Sequence, residues 1–169
     1  MSIEIAIAVP HPPLIVPAVG RGEERGIQDT IDAYRKAARA IVEAQPDCII
    51  VTSPHAPMFR YAFHVTTDAH LEGSMARFRA PQERLDAACD VELAKAIIDQ
   101  ANGEGILCVG SDRYHDDMDH ATYVPLYFVR EAYHVDNPDA EGDIPCPIVR
   151  IGLSGMPYSA HRALGQIIA

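Results

Sequence analysis

Two histidines occupy equivalent settings in the chain. His11 follows the apolar run at residues 3–9, in Pro10-His11-Pro12-Pro13, and His55 follows the run at 48–52, in Ser53-Pro54-His55-Ala56-Pro57. Neutral imidazole is a general ligand for first-row transition metals. Flanking prolines restrict the backbone and would hold each ring in place. If the two runs are strands of one parallel sheet, both rings emerge at its carboxyl edge, where open α/β sheets bind ligands. The separation of 44 residues is no local metal motif, so only the fold can bring the rings together. Ordinary proline-rich turns carrying incidental surface histidines explain the same letters, and the pattern leaves the two readings level.

A third histidine, His120, lies in Met118-Asp119-His120-Ala121-Thr122-Tyr123-Val124-Pro125-Leu126, after the acidic residues Asp116, Asp117 and Asp119. A neighbouring carboxylate can orient an imidazole or raise its pKa, suiting it to donate a hydrogen bond or a proton. A solvated acidic loop fits equally well. His64, His70, His115, His134 and His161 read as surface residues, although His161 is near the end of the last apolar run and His115 is close to His120. The chain contains no P-loop, no G-x-G-x-x-G, no G-x-S-x-G and no H-E-x-x-H. Ser154 follows an apolar run without an evident base, and reads as a turn residue and helix cap.

These side chains need a scaffold, and hydrophobic periodicity outlines one. Residues 3–9 alternate Ile and Ala with one Glu and stop at Pro10, as a buried strand would. Ile27, Ile31, Tyr34, Ala38 and Ile41 recur at helical spacing, and Pro46-Asp47 ends that helix before a second strand at 48–52. A parallel strand pair with a right-handed crossover is the default topology. Residues 53–85 read as a long, partly extended polar excursion. Asp90 caps a helix carrying Val91, Ala94, Ile97, Ile98 and Ala101, which ends near Asn102-Gly103. Residues 106–109 form a strand, while 122–129 fit helix or strand because Pro125 interrupts a short apolar run. Residues 134–147 are a Pro-rich acidic loop. A last strand at 148–153 turns through Ser154-Gly155-Met156-Pro157 into a helix carrying Ala160, Ala163, Leu164, Ile167 and Ile168.

The 169 residues suit one α/β domain, a mainly parallel central sheet flanked by helices, spanning residues 1–169. Fourteen Lys and Arg stand against 24 Asp and Glu; the net charge of -10 repels phosphate backbones and anionic lipid, arguing against nucleic acid and membrane partners. Trp is absent and aromatics are 7%, so stacking platforms for single strands are poorly supported. Neither a signal peptide nor a membrane span is expected. Cys48, Cys89, Cys108 and Cys146 form no C-x-x-C pair, and read as reduced thiols of a cytoplasmic protein.

Taken together, Pro10-His11-Pro12-Pro13-Leu14-Ile15-Val16-Pro17, Ser53-Pro54-His55-Ala56-Pro57 and Asp119-His120-Ala121-Thr122-Tyr123-Val124-Pro125-Leu126 resemble the class III extradiol dioxygenase superfamily, LigB type, in order and spacing. The closest likeness is to the LigB-like branch found beside or fused to Memo-related and radical-SAM partners, where Val19-Gly20-Arg21-Gly22-Glu23-Glu24 also recurs. The resemblance covers essentially the whole chain and implies a LigB-like three-layer α/β domain. It also implies non-haem Fe(II) held by two histidines and a carboxylate. His11 and His55 match the histidine ligands, and His120 matches a catalytic histidine that contacts substrate or oxygen without binding the metal. A catechol-type aromatic diol and O2 would be the substrates.

The family pattern continues beyond the position of Ala169 with a further strand, a Ser-His turn carrying the acid/base histidine, and the carboxylate ligand. A shortened gene, a partner chain that supplies the rest, or a degenerate member are the three expectations that follow. His161, Asp116, Asp117 or a second subunit could complete a different metal shell, and uncovered apolar surface would favour self-association. The rival functions are a non-catalytic, Memo-like metal-binding or assembly module, and a zinc-dependent hydrolase, for which two histidines and water also suit the metal.

Overall fold

The computed structural model describes residues 3–111 and 117–169. At its centre lies a strand, Ile148–Gly152, buried along its whole length. Its side chains alternate: Ile148 joins one apolar cluster, and Val149 and Ile151 join a second on the opposite side. That is the burial expected of a central strand covered on both faces.

In chain order, α1 is Pro17–Gly20, α2 Gln28–Glu43, β1 Ile49–Ser53, β2 Phe63–His64, β3 His70–Met75, β4 Ala80–Ala88, α3 Val91–Gly103, β5 Cys108–Val109, α4 His120–Asp136, β6 Ile148–Gly152 and α5 Tyr158–Ile168. β1 runs parallel to β6, with Ile49 opposite Ile148 and Ser53 opposite Gly152. β2 runs parallel to β5, and the bridge between Val65 and Ile151 joins that pair to β6. β3 and β4 form an antiparallel hairpin, attached where Cys89 bridges to Ile148. Helices α2 and α4 cover one apolar cluster, while α3 and α5 cover the other. The result is a three-layer α/β arrangement of parallel strand pairs with flanking helices.

The expected helix after the N-terminal loop is α2, which buries Ile31, Tyr34 and Ala38. Tyr34 stacks on Phe128 of α4 with ring centroids 4.5 Å apart. The ambiguous segment around Pro125 is helical. Proline removes one intrahelical hydrogen bond there, and eight buried side chains, from Ala121 to Ala132, offset the loss. Asp90 caps α3 by accepting from the Leu93 amide at 2.9 Å.

Four expectations need correction. Residues 3–9 form no strand, and Ile3, Ile5 and Ile7 are exposed. An alternating apolar segment becomes a strand only when a neighbour takes its backbone hydrogen bonds, and the partner of β1 is β6 instead. The excursion at 53–85 contains β2, β3 and most of β4. His64 is fully buried in β2 rather than on the surface. Ser154 is not the cap of α5; that position is Pro157, and the Ser154 hydroxyl accepts from the Met156 amide within the turn.

Candidate metal centre

The end of β1 and the turn after it fix His55. Gly152, opposite Ser53, lets this turn pass close: a Cβ at Gly152 would stand 2.5 Å from the Pro57 carbonyl oxygen. His11 is held by the Pro12-Pro13 turn, which begins a short 3-10 helix, Pro13–Ile15. Ile15 and Val16 are fully buried and anchor it, and the Tyr34 hydroxyl donates to the Pro10 carbonyl. His120 is the first residue of α4. Three different segments thus deliver three imidazoles.

They meet. Nε2 of His11 lies 3.2 Å from Nε2 of His55. The ring of His120 lies with its centroid 4.3 Å from that of His55 and 5.6 Å from that of His11. Among the described residues these are the one group of three or more His, Cys, Asp or Glu side chains whose donor atoms all lie within 4.8 Å of one another. Phe78 closes one side, edge to face with His120 at 5.3 Å.

The donor set fits a transition metal. Nitrogens bound about 2.0–2.1 Å from one ion lie about 2.9 Å apart at a right angle and about 3.4 Å apart at the tetrahedral angle. The 3.2 Å between His11 and His55 falls between these values. Burial, followed by the influence of His55, lowers the pKa of His120; Asp119 opposes the shift and His11 adds to it. Its imidazole is therefore neutral near pH 7, and one nitrogen carries a lone pair for a metal or a proton. No carboxylate belongs to the cluster among the described residues. Asp117 and His161 stand outside it: the Asp117 carbonyl accepts from Arg150, and His161 accepts from the Ser154 amide and packs against Phe63. Asp116 and His115 lie outside the described residues.

Behind the histidines is a polar layer that sequence reasoning did not identify. Asp119 Oδ1 accepts from the Ala121 amide at 2.8 Å, the Thr122 amide at 3.1 Å and the Ser53 hydroxyl at 2.6 Å. Its Oδ2 accepts from the Thr122 hydroxyl at 3.0 Å and faces Arg150 Nη1 at 3.6 Å. Arg150 is fully buried in β6 and also donates to Thr66. The available signal was an arginine inside the apolar run 148–152, because a charge there must find a partner. Asp119 was visible only as part of an acidic run.

Residues 5–169 match the family described as the catalytic LigB subunit of aromatic ring-opening dioxygenase. A protein of Clostridium acetobutylicum, whose name states no activity, is 34% identical over 140 residues. That match covers 79% of this chain and 30% of the relative, so the chain spans just under a third of the relative's length.

Proposed function

Because the chain belongs to the LigB family of catalytic subunits of aromatic ring-opening dioxygenases, we propose that it forms the metal- and substrate-binding part of an extradiol dioxygenase acting on a catechol-type aromatic diol with O2. The approach of His11 Nε2 to within 3.2 Å of His55 Nε2 carries this reading. In it, His11 and His55 hold Fe(II), and a carboxylate from outside the described cluster completes the shell. The iron supplies a Lewis-acidic, redox-active centre at which diol and dioxygen meet.

His120 acts on substrate rather than metal. Neutral and fixed at the start of α4, it can take a hydrogen bond or a proton from a substrate hydroxyl, or donate one to an oxygen beside it. Phe78 orients its ring and offers an apolar edge to an aromatic guest. The net charge of -10 disfavours nucleic acid as a partner, and the four free thiols support a reducing cytoplasmic setting. No helix among the described residues is long and apolar enough to cross a membrane.

One observation favours a second reading. The donor nitrogen of His120 falls within the same 4.8 Å group, and three imidazoles plus water form a zinc donor set. A zinc hydrolase or a non-catalytic metal-binding module would use that arrangement. Anaerobic loading with Fe(II), metal analysis, and oxygen uptake with a series of catechols separate the two. The dioxygenase reading expects oxygen uptake by wild type, loss of iron in His11→Ala and His55→Ala, and retained iron without uptake in His120→Ala. Loss of metal in all three variants, with no uptake by loaded wild type, overturns it.

A further inference from the structure

Ser53 lies at the point where two of the three histidine-bearing segments touch. It is the last residue of β1, two before His55, and its side chain is fully buried. The hydroxyl accepts from the His55 amide at 3.1 Å and donates to Asp119 Oδ1 at 2.6 Å. Asp119 in turn is the N-cap of α4, whose first residue is His120. A single oxygen atom therefore connects the backbone of one histidine to the carboxylate that seats the next.

The carboxylate cannot readily yield. It accepts from two amides and the Thr122 hydroxyl, and Arg150 stands beside it from the central strand. The Ser53 hydroxyl, by contrast, has one proton and one acceptor direction engaged, each by a different segment. We propose that Ser53 is a positioning residue of the three-histidine cluster, its hydroxyl setting the distance between His55 and His120. The inference takes its metal readout from the metal-binding function proposed above. It touches neither metal nor substrate, and acts only through the two rings. Outer contacts of this kind typically contribute about 10–100-fold to metal affinity.

The test compares wild type, Ser53→Ala and Ser53→Thr. Co(II) affinity and visible absorption are read on each, with thermal melting and imidazole proton NOEs measured on the metal-free proteins. The Ser53→Ala protein should fold and melt no more than about 12 °C below wild type. It should bind Co(II) at least about tenfold more weakly, with an altered spectrum, and lose the NOE between the His55 and His120 rings. Ser53→Thr, which keeps the hydroxyl, should restore affinity and spectrum. Should Ser53→Ala fail to fold, Asp119→Asn takes its place with the same expected losses, since it keeps the shape and weakens the grip on Ser53. Unchanged affinity, spectrum and NOE in the folded variant overturn the inference. A wild type that takes up no Co(II) overturns the metal reading instead; positioning is then decided by the NOE, whose persistence in Ser53→Ala refutes it and whose loss supports it.

Discussion

Nε2 of His11 stands 3.2 Å from Nε2 of His55, although 44 residues separate them in the chain. Two chemistries produce that distance: one imidazole N–H donating to the other ring, or two lone pairs prepared for a common ion. They differ in what a metal does to stability. A ligand that binds only the folded chain stabilises it by about 2.7 kcal/mol at a hundred times its Kd. For a domain of this size that raises Tm by about 5–11 °C. Calorimetry with and without Co(II) should show this shift in wild type and lose it in His55→Ala. Melting indifferent to metal would leave only the hydrogen bond.

His64 makes the fold sensitive to acid. Both ring nitrogens are buried, with no hydrogen-bond partner among the described residues. Burial, reinforced by the Arg150 guanidinium and opposed by Asp68, brings its pKa down to about 4. The unfolded chain, with an ordinary histidine near 6.5, takes up this proton first. Stability is therefore complete above about pH 6.5 and declines as pH falls towards 4, by about 2 kcal/mol at pH 5. Urea midpoints measured from pH 7.5 to 4.5 should follow that course, and His64→Leu should flatten it between pH 6.5 and 5.

The thiols should be slow to react. Burial is the first cause in each case, raising Cys48 to about 12 and Cys89, Cys108 and Cys146 to about 11. At pH 8 the thiolate fraction is then at least about a hundredfold below that of an ordinary thiol, and about a thousandfold or more for Cys48. Labelling by a disulfide reagent should proceed at least about tenfold more slowly on native protein than in guanidinium, where four equivalents react. Four fast equivalents on folded protein would contradict the burial.

Asp90 should be worth about 1 kcal/mol to the fold through its cap on α3. Asp90→Ala removes that acceptor and leaves the Leu93 amide to water. The urea midpoint should fall with an unchanged slope, and Asp90→Asn or Asp90→Ser should recover most of the loss. Equal stability of Asp90→Ala and wild type would show that the cap contributes nothing.

These elements were not equally legible in the sequence. The spacing of Ile27, Ile31, Tyr34, Ala38 and Ile41 marks α2 because burial on one face imposes that period. The alternation at residues 3–9 signals strand just as clearly, yet strand formation depends on a neighbour that local pattern does not contain. The β3–β4 hairpin was hidden because its connection is the 3-10 turn Ala76–Phe78, followed by Arg79 at φ 64°, with no glycine to announce it. His11, His55 and His120 could be singled out from their settings, and the structure gathers all three. Ser53 could not, because its importance lies in a contact with Asp119 across 66 residues of chain; Arg150, a charge inside an apolar run, announced that it needs a partner but not that Asp119, 31 residues away, is that partner.

The pair of Arg150 and Asp119 should behave as a unit. The Arg150 side chain is 1% exposed and that of Asp119 10%, with Nη1 and Oδ2 3.6 Å apart. Removing one member of a buried pair leaves a charge without compensation and typically costs about 3–5 kcal/mol, whereas replacing both by uncharged groups costs much less. Arg150→Met should thus destabilise the protein by about that amount, as measured by urea unfolding. Asn at position 119 keeps an acceptor for the Ala121 and Thr122 amides while discarding the charge. The double variant Arg150→Met with Asp119→Asn should therefore be more stable than Arg150→Met alone, with a coupling of at least about 1 kcal/mol across the cycle. Strictly additive losses would mean that the guanidinium is sustained by its other contacts, and that Asp119 holds the histidine-bearing helix through hydrogen bonds rather than charge.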